Sequence, residues 1–110
     1  MTFEEAKIFF EKQRRIWMNE GKSYIVDIGT CVTGNIINVF MNNSCIDICI
    51  NEYNLGKNKH TKPRIEYCFY IKDVLTGNYY HSTYRKCNLE NITENNLIDL
   101  INNIYQMRNK

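Results

Sequence analysis

KNKHTKPRIEYCFYIKDVLTGNYYHSTYRK, residues 57–86, is the stretch whose reading decides the fold. Within it, RIEYCFYIK alternates Ile65, Tyr67, Phe69 and Ile71 against Arg64, Glu66, Cys68, Tyr70 and Lys72. That period of two marks a half-buried strand. Gly77-Asn78 suits a type II′ turn, and YYHSTYRK after it reads as the returning strand. A two-residue turn sets His81, Thr83 and Arg85 beside Arg64, Tyr70 and Lys72 on the outward face, and Tyr80 and Tyr84 with the inward set. A slip of one residue inverts that assignment.

Working upstream, residues 51–63 read as one long connection ending in a basic run, Lys57, Lys59, His60 and Lys62. Before it, Ile46, Ile48 and Ile50 alternate against Cys45, Asp47, Cys49 and Asn51, a strand with the isoleucines inward. Asn42-Asn43-Ser44 forms the turn that precedes it. NIINVFM, residues 35–41, is apolar on both faces and belongs in the sheet centre. SYIVDI, residues 23–28, alternates Tyr24, Val26 and Ile28 against Ile25 and Asp27, and GTCVTG turns the chain after it.

Helices close both ends. Thr2 and Glu5 have capping-box spacing, and Phe3, Ala6, Phe9, Phe10, Ile16 and Trp17 form one stripe that stops near Gly21. A second helix starts at Asn91 or Thr93. Its Leu97, Ile98, Leu100, Ile101, Ile104, Tyr105 and Met107 cover nearly half the circumference, which points to a homo-oligomer. The order α-β-β-β-β-β-α lacks alternating βα units. It predicts an α+β fold in one domain, residues 1–110: a five-stranded antiparallel sheet flanked by an N-terminal and a C-terminal helix.

Composition narrows the functional classes. Sixteen Asn and fifteen Ile against one Ala and one Pro reflect AT-rich codons. The cysteine count of five is odd, and MTFEEAKIFF lacks the basic start and apolar run of a signal peptide. Free thiols and a cytoplasmic location follow as expectations, with no membrane partner. Cys45 and Cys49, spaced x3 on a strand, are too far apart for a zinc pair, so neither a metal nor another cofactor is expected. No carboxylate pair and no Cys at a strand-to-helix elbow points to catalysis, and no catalytic residue is assigned.

Val26-Asp27-Ile28-Gly29-Thr30 resembles the first phosphate loop of the actin and sugar-kinase superfamily. The resemblance implies an acidic residue on metal-bound nucleotide and Gly-Thr amides near phosphate. That superfamily closes two such domains over its ligand, and 110 residues hold one. The resemblance therefore carries no assignment of the chain.

Charge carries the functional reading. Residues 57–86 hold seven Lys and Arg against two acids, a balance of +5, and five of the eight tyrosines. The rest of the chain holds seven against ten, a balance of −3. Lys and Arg bind phosphates, and aromatic rings stack on bases. With a net charge of only +2 and a sequence pI near 8.3, the basic area is local. Such a patch suits a compact anion better than a polynucleotide track.

The expected site is therefore Lys57, Lys59, His60, Lys62, Arg64, Tyr70, Lys72, His81 and Arg85, holding a nucleotide-like anionic small molecule without catalysis. A phage or mobile element could use such a binder to sequester a signalling nucleotide. Single-stranded nucleic acid, or a larger protein that the chain inhibits, are the alternative partners.

Overall fold

The computed structural model describes residues 1–41, 46–56, 59–72, 75–76 and 79–108, and within these all side chains but those of Cys31, 68–72, 79–84, 107 and 108. Helix α1 (Phe3–Asn19) starts on the Thr2/Glu5 capping box and ends at Glu20, followed by Gly21 at a φ of +74°. Its buried stripe is Phe3, Ala6, Phe9, Phe10 and Trp17. Ile16, assigned to that stripe from spacing, instead stays 37% exposed. It lies one position before Trp17, which takes the core site on that turn.

Five strands follow in a meander, each antiparallel to the next, in spatial order β1-β2-β3-β4-β5. They are β1 (Ile25–Cys31), β2 (Gly34–Phe40), β3 (Ile48–Tyr53), β4 (His60–Lys72) and β5 (Tyr79–Asn88). A short 3₁₀ turn, Leu89–Asn91, leads to helix α2 (Glu94–Arg108). Of the two proposed helix starts the chain uses Thr93, which exchanges side chain–backbone hydrogen bonds of 3.2 Å each with Asn96. This is the predicted α+β architecture.

Register sorts the sheet into rows. Ile28, Ile37, Ile50, Ile65 and Cys87 are successive partners across all five strands, as are Val26, Val39, Ile48, Tyr67 and Arg85. These apolar rows carry the core, against which α1 and α2 bury Phe10, Trp17, Leu97, Ile101 and Ile104. On α2 the flanks of the stripe, Ile98 and Tyr105, each keep 37% exposure.

The alternating rows look the other way. One runs Asp27, Asn38, Cys49, Glu66, Lys86; the other runs Gly29, Ile36, Asn51, Arg64, Asn88. This second sheet face carries no described helix. An antiparallel sheet tolerates that because its polar side chains alternate outward.

Three boundaries differ from the sequence reading. Gly29 and Thr30 sit in the ladder opposite Ile36 and Asn35, so β1 and β2 are joined by Val32 and Thr33 and not by a six-residue turn. The segment that resembles a phosphate loop is therefore paired strand. Ile46 precedes β3 and is 41% exposed, whereas Asp47 is fully buried. Asp47 accepts from the Met41 amide at 2.5 Å and donates its own amide to the Val39 carbonyl at 2.9 Å, fastening the β2–β3 connection. Finally, the supposed long connection at 51–63 is mostly strand. β3 continues to Tyr53 and β4 begins at His60, with an irregularity between Asn51 and Tyr53.

Candidate functional site

The extended β4 carries the site. Because the strand starts at His60, that ring lies with Arg64 on the sheet face away from the helices, beside β3, and not in a loop. Both meet Asn51, whose side chain is buried at 2% exposure. His60 Nε2 lies 2.7 Å from Asn51 Oδ1 and 3.2 Å from the Asn51 carbonyl oxygen. Arg64 Nε donates to the same Oδ1 at 3.3 Å. An arginine only donates, so the atom it faces is oxygen, and His60 must then carry its proton on Nε2. The Asn51 amide nitrogen in turn donates to Cys49 Sγ at 3.3 Å. Tyr53 packs edge-on against the His60 ring, with centroids 5.2 Å apart.

Charge is arranged around this amide. Glu66 Oε1 lies 3.4 Å from Arg64 Nε and 3.6 Å from Lys86 Nζ. Among the described residues the guanidinium is held through Nε alone. The Arg64 side chain is 31% exposed and that of Lys86 is 56% exposed. A partly exposed guanidinium anchored at Nε can offer its two terminal amino groups to a bidentate anion. Burial pushes the Cys49 thiol up despite the Asn51 contact, so the thiolate is disfavoured beside the basic pair.

The structure divides the expected site. His60 and Arg64 converge on Asn51. Lys59 is exposed in the connection just before β4. Lys62 turns to Glu90 at 3.9 Å, an exposed pair of little energetic weight. Lys57 lies outside the described residues. Backbone register pairs Tyr70 with His81 and Lys72 with Tyr79, while the side chains of Tyr70, Lys72 and His81 lie outside the described set.

Arg85 is a correction. It pairs with Tyr67 in an apolar row, so it projects on the helix side of the sheet, opposite Arg64. The cause is an irregularity within the β4–β5 ladder. The expected Gly77-Asn78 turn lies outside the described residues; near it Lys72 pairs with Tyr79 and not with Thr83, an even displacement that keeps faces, and the register then shifts by one residue between Phe69 and Tyr70. The net shift at Arg64 is an odd number of residues, which swaps faces. Lys86 takes the place beside Glu66.

Asn51, Glu66 and Lys86 were the members missed. The alternation had put Asn51 and Glu66 outward, but nothing local to them signals that one amide is buried beneath His60 and Arg64. Among the described residues, no three His, Cys, Asp or Glu side chains gather closely enough to hold a metal ion. No described helix is long and apolar enough to cross a membrane. No protein-family model, curated protein or solved structure matches the chain. The site therefore has to be read from its own chemistry.

Proposed function

We propose that the protein is a non-enzymatic binder of a phosphate-bearing, nucleotide-like small ligand, which it meets on the sheet face away from the helices. Arg64 and Lys86 would take phosphate oxygens, with the Lys59 ammonium at the margin. The supporting observation is the anchoring of a partly exposed Arg64 through Nε on a buried Asn51. The local positive balance of residues 57–86 supports a compact anion over a long polyanion. A binder of this kind acts by sequestration, the use that the sequence suggested for a phage or mobile element.

Mass spectrometry of small molecules released from purified protein identifies the ligand, and calorimetry with that compound tests the site. Arg64→Ala should weaken binding by about 1.5–3 kcal/mol, the range for hydrogen bonds to a charged group. Arg85→Ala, on the opposite face, should leave it unchanged. Equal affinity of the Arg64 variant and the parent would refute the site. A salt dependence that steepens with strand length would point to nucleic acid instead.

A further inference from the structure

On the opposite side of the sheet, α1 and α2 leave a cleft between them of about 280 Å³. Trp17 and Ile101 form its buried apolar floor, and Ile98 walls it on α2. Gln13 and Asn102 add one carboxamide from each helix. Where α1 ends, Glu20 and Lys22 complete the lining with both signs of charge, paired at 3.2 Å. These two side chains remain 47% and 30% exposed. The Lys22 ammonium also lies 4.5 Å from the Tyr105 ring centroid and 5.5 Å from that of Tyr24, which fixes its position. Beside the cleft, Tyr24 packs on Trp17 at 5.0 Å, and its buried hydroxyl has no hydrogen-bond partner among the described residues.

The chemistry selects a ligand class. A purely anionic ligand would gain Lys22 but face Glu20, and a purely cationic one the reverse. A zwitterion whose two charges are separated by a single carbon satisfies both, provided that its uncharged part can cover Trp17 and Ile101. The volume is close to the small end of ligand pockets, about 300 Å³, and suits one such molecule. We propose that the cleft binds a free α-amino acid with an apolar side chain. Its carboxylate lies on Lys22, its ammonium on Glu20, and its side chain on the floor. The site is independent of the phosphate-binding face, from which the sheet separates it.

Trp17 is the chain's single tryptophan, so its fluorescence and its one indole N–H resonance report directly on the cleft. Titration with free leucine should move both signals saturably. N-acetylleucine, which lacks the ammonium, and leucinamide, which lacks the carboxylate, should each bind roughly tenfold more weakly or worse, the cost of a lost charge-assisted contact. Glu20→Gln alters an exposed side chain and Lys22→Met keeps the length of a half-buried one, so the fold should survive while leucine binding falls by a similar factor. Arg64→Ala should leave it unchanged. Trp17 signals that stay still up to millimolar leucine would overturn the proposal. So would N-acetylleucine or leucinamide binding as well as leucine, or Glu20→Gln and Lys22→Met variants that bind it as the parent does.

Discussion

Asn51→Ala tests whether one buried amide organises the basic pair. The substitution deletes the oxygen that faces His60 Nε2 at 2.7 Å and Arg64 Nε at 3.3 Å. Neither donor is stranded. His60 keeps the residue-51 carbonyl at 3.2 Å, and Arg64 keeps Glu66 at 3.4 Å. A neutral hydrogen bond contributes about 1 kcal/mol net and a charged one about 1.5–3 kcal/mol. Arg64 is nearly a third exposed, which places its share at the low end, so the total loss is about 2 kcal/mol. For a domain of this size, that is a fall in melting temperature of roughly 10 °C.

Thermal denaturation followed by circular dichroism reads that fall. Nitrogen-detected resonances of the His60 ring and the Arg64 Nε–H should move in the same variant while the rest of the spectrum stays folded. A variant with the parent's melting temperature and unmoved His60 and Arg64 signals would show that Asn51 does not hold the pair.

Other perturbations probe separate parts of the structure. A Cβ at Gly34 would lie 2.3 Å from the Glu52 carbonyl oxygen and 3.0 Å from Tyr53 Cα, both backbone. Gly34→Ala should thus cost about 3 kcal/mol or more, whereas Gly29→Ala, 3.4 Å from Ile36 Cγ2, should melt near the parent; equal melting points would refute the clash. Burial first, then the nearby Tyr105, Asp47 and Glu20, push Tyr24 from 10.0 up to about 12. The folded state therefore holds that proton more tightly than the unfolded chain. Its contribution is fully present below pH 10.0 and lost as pH rises towards 12. Alkaline titration of tyrosine absorbance, compared with Tyr24→Phe, should show Tyr24 ionising late. Burial likewise pushes the free thiols of Cys49 and Cys87 up. Near neutral pH an aromatic disulfide reagent should modify Cys49 far more slowly in folded than in denatured protein; equal rates would contradict its burial.

What the sequence determined by itself was whatever depends on short-range periodicity. The capping pair of Thr2 and Glu5, the stripe of Phe3, Ala6, Phe9 and Phe10, and the alternation of Ile48 with Ile50 each act within a turn of helix or a few strand residues. Strand number and antiparallel order then followed, because short connections between such strands leave few arrangements. The bounds of β4 and the register of β4 against β5 were not legible, since they depend on where each strand stops. His60 joined β4 because Tyr53 on β3 supplied a partner, not through any local propensity. Arg85 and Lys86 exchanged faces because the irregularity between Phe69 and Tyr70 shifts the pairing by one residue. The burial of Asn51 beneath His60 and Arg64 joins side chains nine and thirteen residues apart. Only the tertiary structure decides such a meeting, because its geometry is set by cross-strand pairing, and pairing is a property of two strands that neither one encodes alone.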